Sequence, residues 1–433
     1  MDKKRLVAGT LAALTVASTV PSTFAAQAET PIPYAVMSEK ALEDAGVTLF
    51  SQEDESAAVP QAEATLQEQI DQAENGATIT LKGDANENVT IPVGKNIVLN
   101  LGGFTLTNKS DHTITNNGTL TIEGNGTVDN VTHARAAVYN NVGGTVTLNG
   151  GTYTRSKENG SNKVNSGGNS YYNIVNWGTM TINDGVTVKQ DGNYSSMVEN
   201  GFYDGSQQST NPKMTINGGT FSGGMNTIKN DDRGILEVHG GTFTNVRQAA
   251  LMNWNEATIT DGSFQANGAE AVIYNGYLND GMDCGKLTIS GGTFTATGSS
   301  PVIQQNDNQG IGTVQINGGT FTTGSGKIIG VGSGTKTDVT IVKGSFTTSN
   351  ETYMNALKEY FDPSSNFDAT SGTVSAIPAE QAVVSVGAKN YKTLAAAINA
   401  AQNGETVVLK QDVTESVRIP VGKEITLDLA GNN

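Results

Sequence analysis

The chain has 433 residues, a formal net charge of −16 at pH 7, 52 glycines and a single cysteine, Cys284. The acidic charge argues against nucleic acid and acidic polysaccharides as preferred partners, because binding to those polyanions depends largely on Lys and Arg. One cysteine excludes an intramolecular disulfide, so the fold must be stabilised by packing.

The N-terminal residues have the pattern of an export signal. A basic run at residues 1–5 precedes an apolar segment at 6–20 and a small-residue cleavage site at 26–28. The apolar segment is too short to span a membrane, so we predict a secretory signal peptide at residues 1–28. Residues 29–62 are acidic and aperiodic, which predicts a flexible leader. We therefore expect a secreted or cell-surface protein with no transmembrane segment in this fragment.

A short amphipathic helix is predicted before the first strands. Leu66, Ile70 and Ala73 have helical spacing, and Asn75-Gly76 ends the pattern just before an alternating segment that begins at Thr78. Exposed strand edges invite association with other chains, so this helix is expected to cap the open end of a stacked β structure.

One phrase, exemplified by MTINGGTF at residues 214–221, recurs along most of the chain. Met214 and Ile216 alternate with polar residues, which predicts a half-buried strand. The glycine pair ends that strand, and an aromatic residue lies in the next one. The second glycine recurs at Gly151, Gly185, Gly219, Gly241, Gly262, Gly292, Gly319 and Gly344. The aromatic recurs at Tyr153, Phe221, Phe243, Phe264, Phe294, Phe321 and Phe346, which predicts an internal ladder of rings.

A second phrase, apolar residues followed by Asn, precedes most copies of the first. Asparagine tolerates the left-handed conformation and bonds to neighbouring backbone, so a corner between strands is predicted at each one. These residues are Asn140, Asn176, Asn200, Asn230, Asn253, Asn275 and, more loosely, Asn306.

The repeats predict an all-β fold, a single-stranded right-handed parallel β-helix. The shortest units have 21 or 22 residues, fewer than a propeller blade needs. Each unit would hold three short strands and bury its apolar face only against its neighbours. Residues 63–350 are the predicted β-helix with its N-terminal cap, and there is room for about eleven turns.

The TINGGTF ladder resembles right-handed parallel β-helix proteins of the pectin-lyase-like superfamily. It is similar in particular to repeat-bearing surface or secreted proteins of Gram-positive gut bacteria. The resemblance covers about residues 64–433. The resemblance predicts the architecture specifically but does not predict an activity, because the superfamily includes lyases, hydrolases and adhesins.

The segment that contains the predicted capping helix is repeated near the C-terminus at a constant shift of 328 residues. This shift matches Leu66 to Leu394 and Ile70 to Ile398. Residues 391–433 are therefore predicted to be the truncated start of a second β-helix, and the sequence a fragment of a longer protein, although a genuine terminus is the alternative. Between the two copies, residues 351–390 predict a closing helix followed by a linker.

No catalytic set is predicted. The resemblance implies, for the lyases and hydrolases of this fold, clusters of carboxylates with a basic residue. Asp231, Asp232 and His239 are the weak candidates, but His239 lies at a variable position of the repeat and the two aspartates lie in a polar corner. No cofactor or metal site is predicted. Calcium bound by the same aspartates with Asp280, Asp283 and Asp307 is the alternative, although no calcium-loop motif is present.

Aromatic residues beside the Asn corners are the candidate ligand-binding residues. If they face outward, they form a row of rings on which sugars could stack, and if they face inward, they fill the core. They are Trp177, Phe202, Tyr203, Trp254 and Tyr277.

The sequence favours a non-enzymatic secreted or cell-surface protein, an adhesin-like or glycan-binding stalk. Its expected partners are host or microbial glycans or cell-wall polysaccharide, and not nucleic acid. A polysaccharide lyase or glycoside hydrolase of the pectin-lyase-like fold, and a purely architectural spacer, are the alternatives.

Overall fold

The computed structural model describes residues 64–158, 160, 171–202, 209–276, 285–306, 312–332 and 338–433. The predicted signal peptide and leader lie outside the described residues. The described strands form long parallel sheets that pair strands one turn apart, which confirms the predicted parallel β-helix. The described residues contain three such sheets, called sheets 1, 2 and 3 below, and consecutive strands of the chain belong to sheet 1, sheet 2 and sheet 3 in that repeating order.

Sheet 1 contains the first strand of each repeated phrase. Its register aligns Met180, Met214 and Leu236 on consecutive turns, and these side chains are buried. Among the described residues it has eleven strands in chain order: Ala77–Thr80, Asn96–Asn100, Thr119–Glu123, Thr145–Leu148, Thr179–Ile182, Lys213–Ile216, Ile235–Val238, Glu256–Ile259, Lys286–Ile289, Thr313–Ile316 and Asp338–Ile341.

Sheet 2 begins after the glycine corner. Gly219 has φ +100°, and a Cβ there would lie 2.9 Å from the Val186 carbonyl oxygen, so the corner requires glycine. The parallel strands of sheet 2 are Ala85–Asn86, Thr105–Thr107, Thr127–Asp129, Thr152–Thr154, Thr187–Gln190, Thr220–Gly223, Thr242–Asn245, Ser263–Ala266, Thr293–Ala296, Thr320–Thr323 and Gly344–Thr347.

The aromatic ladder lies inside sheet 2, as predicted. Six phenylalanine rings on consecutive turns stack nearly parallel, with centroids 4.4–5.2 Å apart. Val188 takes the aromatic position between Tyr153 and Phe221. The stacked rings are Phe221, Phe243, Phe264, Phe294, Phe321 and Phe346, all buried.

Sheet 3 carries the asparagine phrase. Its strands are Val89–Ile91, Ile114–Asn116, Val138–Asn140, Ile174–Asn176, Val198–Asn200, Asn226–Asn230, Ala249–Asn253, Ala271–Asn275, Ile303–Gln305 and Ile329–Val331. Each ladder asparagine lies inside the corner, and its Nδ2 donates to the side-chain oxygen of the next, as Asn200 does to Asn230 at 2.7 Å.

The asparagines do not use the conformation that the sequence suggested for them. None has a positive φ, so the corner depends on the amide ladder rather than on left-handed backbone. The ladder also starts one turn earlier than predicted, at Asn116, and ends at Gln305 instead of Asn306. Buried amides bonded in a continuous row satisfy each other without water, which explains why Gln can replace Asn at the last position.

Two helices close the ends of this β-helix. Helix α1 (Leu66–Gln72) has a capping box between Thr65 and Glu68 and buries Leu66 and Ile70. Helix α2 (Glu351–Leu357) continues into a 3₁₀ turn, Lys358–Tyr360. Within the segment predicted as closing helix and linker, Ser365–Asp368 and Thr373–Ala376 form an antiparallel hairpin that extends the edge of sheet 2.

The C-terminal repeat of the capping segment begins with a helix followed by a strand, as the N-terminal one does. Helix α3 (Leu394–Ala400) precedes Thr406–Leu409, which pairs with Thr426–Asp428 in sheet 4 together with Val384–Val386 and Lys389–Tyr391. Lys95 Nζ donates to the carbonyl of Ala73, and Lys423 Nζ donates to that of Ala401, both at 2.7 Å. None of the described helices has the length and apolar character needed to cross a membrane.

Candidate functional site

The outer face of sheet 3 presents the residue that precedes each ladder asparagine. Alternation directs the asparagine and the aliphatic residue two positions earlier inward, so the residue between them points outward. We call these outward-pointing residues the outward row. In the central turns its residues differ in chemical type from one turn to the next. It runs Val175, Glu199, Lys229, Met252 and Tyr274 in register.

A groove of about 650 Å³ lies on this face. Its walls combine aromatic rings with amide and hydroxyl groups, and Trp254 is half-buried among them. The described residues that line it are Tyr172, Tyr194, Ser195, Ser196, Met225, Asn226, Lys229, Gln248, Met252, Trp254, Tyr274, Gly276 and Asn306. We call this feature the Trp254 groove.

Lys229 is held at the floor of the Trp254 groove by two neighbours. Its Nζ forms an ion pair with Asp231, a carboxylate that is 1 % exposed. The same Nζ lies 3.7 Å from the centre of the Trp254 ring, which is a cation–π contact. Burial lowers the pKa of Lys229, but the carboxyls of Glu199 and Asp231 outweigh it and raise that pKa. The side chain is therefore a charged ammonium whose charge is locally neutralised.

Glu199 lies on the adjacent turn and is fully buried. Burial raises the pKa of its carboxyl well above the usual range, the Asp231 carboxylate adds to this effect, and Lys229 opposes it. Burial and the Glu199 carboxyl likewise raise the pKa of Tyr172. Glu199 therefore favours its protonated form more than an exposed carboxyl does, because burial and a neighbouring carboxyl both disfavour its charge.

Sequence reasoning missed both Glu199 and Lys229. The signal was present, because the two residues occupy the same place in MVEN and TIKN, immediately before a ladder asparagine. Aligning those phrases on their asparagines would have put two opposite charges on one face of adjacent turns.

The structure separates the weak catalytic candidates. Asp231 and Asp232 are buried at the sheet 3 corner, and His239 lies at the opposite end of Ile235–Val238, where its side chain is exposed. The His239 Nδ1 lies 2.8 Å from Thr260 Oγ1. The three residues therefore do not converge on one groove.

The predicted ligand-binding aromatics have different environments. Of the three that the structure describes, only Trp254 lines the groove. Trp177 packs between Tyr139 and Phe202, with 5.4 Å between ring centroids on each side, and Phe202 is fully buried. Tyr203 and Tyr277 lie outside the described residues.

No group of three or more His, Cys, Asp or Glu side chains is placed to hold a metal ion within the described part of the chain. Asp280, Asp283 and Asp307, which the calcium alternative would use, lie outside it.

Comparison with known proteins adds no assignment. No protein-family model, curated protein or solved structure matches this chain.

Proposed function

We propose that this chain is a non-enzymatic carbohydrate-binding protein and that the Trp254 groove is its binding site. The observation that carries the proposal is the combination of aromatic rings and neutral polar groups in one open groove. The C–H faces of a sugar stack on aromatic rings, and its hydroxyls bond to amides and hydroxyls such as those of Asn226, Gln248 and Ser195.

The wider setting supports a role outside the cell. The N-terminal export pattern leads us to propose a secreted or cell-surface location, and the repeats favour an adhesin-like stalk. The TINGGTF resemblance supports membership of the pectin-lyase-like superfamily and an origin in a Gram-positive gut bacterium. A rigid β-helix would hold the groove away from the cell surface, where host or microbial glycans and cell-wall polysaccharide are accessible.

Binding should be tested on the purified chain with a glycan array, followed by calorimetry on the best ligand. Trp254→Ala is expected to weaken binding about 30-fold, the effect of losing one aromatic hot spot. Trp177→Ala is the matched control, because Trp177 follows a ladder asparagine in the same way but does not line the groove. A blank array, or equal binding by the Trp254→Ala variant, would contradict the proposal and favour the architectural spacer.

One observation favours an enzyme as the second candidate. Glu199 and Asp231 lie on adjacent turns, and burial raises the pKa of Glu199, the direction of shift that a general acid requires. Against this role, Glu199 is 0 % exposed and is not among the described residues that line the groove. New reducing ends or unsaturated products from a polysaccharide panel, abolished in Glu199→Gln, would support the enzyme over the binding protein.

A further inference from the structure

The Trp254 groove runs across the strands of sheet 3. Its lining residues come from six consecutive turns, from Tyr172 beside Ile174–Asn176 to Asn306 after Ile303–Gln305. Neighbouring parallel strands lie about 4.8 Å apart, so six turns span about 24 Å along the β-helix axis. A groove of this length and direction fits an extended linear chain better than a single sugar or a branched tip.

The charges around the groove do not favour an anionic ligand. Lys229 is the one cationic side chain among its described lining residues, and Asp231 already neutralises it. Asp232 adds a further negative charge close to that ammonium. At the rim, the Tyr274 hydroxyl donates to Glu270 at 3.0 Å. A carboxylate or sulfate group in the groove would be desolvated without a cation to bind it.

We propose that the Trp254 groove selects linear neutral polysaccharides lying along the β-helix axis, and that Asp231 excludes uronic-acid and sulfated chains by neutralising Lys229. This inference rests on the proposed carbohydrate-binding function and assigns its ligand class. Asp231 acts on specificity through Lys229, so it is a positioning residue rather than a direct ligand contact.

The first test compares neutral and anionic ligands of equal length on the purified chain. The neutral probes are hexasaccharides of β-1,4-linked glucose, xylose and mannose, and the anionic probes are hexasaccharides of galacturonate and mannuronate. At least one neutral probe is expected to bind about tenfold or more tightly than either anionic probe. Its affinity should rise from trisaccharide to hexasaccharide and change little between about 50 and 500 mM salt.

The outcomes of this test distinguish a wrong ligand class from a wrong carbohydrate-binding function. Equal or tighter binding of an anionic probe, or affinity that does not grow with chain length, would overturn the neutral axial ligand while leaving carbohydrate binding intact. If no probe binds, or if Trp254→Ala binds as well as the wild type, the proposed function itself is wrong.

The second test changes the charge balance without changing shape. Asp231→Asn keeps the size of the side chain and releases the Lys229 ammonium, so affinity for hexagalacturonate should rise about tenfold and become salt-dependent. Affinity for the neutral hexasaccharide should change less than about threefold. Asp232→Asn is the comparison variant, because Asp232 is also buried but acts on the Lys229 ammonium less strongly than Asp231 does, so it should raise the affinity for hexagalacturonate less than Asp231→Asn.

A thermal melt of each variant shows whether it has folded. Adding Lys229→Met to Asp231→Asn removes the released cation and should abolish the gain for hexagalacturonate. A gain that survives in the double variant would refute the role assigned to Asp231. If Asp231→Asn does not fold, the wild-type comparison of neutral and anionic probes still decides the ligand class.

Discussion

Trp177 and Trp254 occupy the same position of the repeat, each directly after a ladder asparagine, yet their surroundings differ. Trp177 packs in an aromatic cluster with Tyr139 and Phe202. Trp254 lies in a groove, with a lysine ammonium against its ring. Trp177 has an aromatic neighbour from each adjacent turn, Tyr139 and Phe202, whereas Trp254 has the Lys229 ammonium from the preceding turn. The position within a repeat therefore fixes where the side chain leaves the backbone, and the residues of the adjacent turns determine whether it is packed or lines a groove.

The two regions also hold buried ionisable groups of opposite kind. Beside the Trp177 cluster, burial lowers the pKa of His112 to about 4, although the charge of Asp111 acts to raise it. The Ala136 N–H donates to His112 Nδ1 at 2.8 Å. An imidazolium could not accept that bond, so the ring is neutral. On the turn next to Lys229 the buried group is an acid, Glu199, and burial raises its pKa well above the usual range. Stability in the two regions should therefore respond to pH in opposite directions.

Replacing each tryptophan by alanine should give the largest contrast. Trp177→Ala is expected to lower the free energy of unfolding by about 3 kcal/mol, because it removes a ring packed between two others. Trp254→Ala should lower it by about 1 kcal/mol, since its main described contact is a partly exposed cation–π pair. Urea unfolding of both variants measures this difference. Equal losses of stability would show that the two corners are equivalent and that the groove is not a distinct site.

The repeat was readable from the sequence because its signals are local. Alternation in MTIN, the glycine pair and the phenylalanine lie within eight residues, and they predicted the strands, the corner and the ring ladder. The groove depends instead on which residues become neighbours across turns of unequal length. Glu199 and Lys229 are thirty positions apart in the sequence and directly paired in the register. Without that register, the burial of Phe202 and the difference between the two tryptophans could not be predicted.

His112 should make the Trp177 cluster sensitive to acid. Its folded pKa of about 4 lies below the ordinary histidine value of 6.5, so its contribution to stability is present above pH 6.5 and is lost as pH falls towards 4. Between about pH 7 and pH 5 the wild type should lose about 2 kcal/mol relative to His112→Gln, whose side-chain oxygen can still accept from Ala136. Parallel curves of unfolding free energy against pH would contradict a buried neutral imidazole.

Glu199 should make stability at the Trp254 groove respond to pH in the opposite direction. Its folded pKa is raised above the ordinary glutamate value of 4.5, so its contribution to stability is present below pH 4.5 and is lost as pH rises above that value. Relative to Glu199→Gln, the wild type should lose stability progressively as pH rises above 4.5, which urea unfolding at a series of pH values measures.

The Glu199 response can be divided between its two causes with Asp231→Asn. That change removes the carboxylate that adds to burial in raising the pKa of Glu199, so the loss of stability should level off at a lower pH than in the wild type. If Asp231→Asn leaves the pH dependence unchanged, burial alone raises the pKa of Glu199. The two carboxyls would then not act as a coupled pair, and Lys229 would be neutralised by Asp231 independently of the adjacent turn.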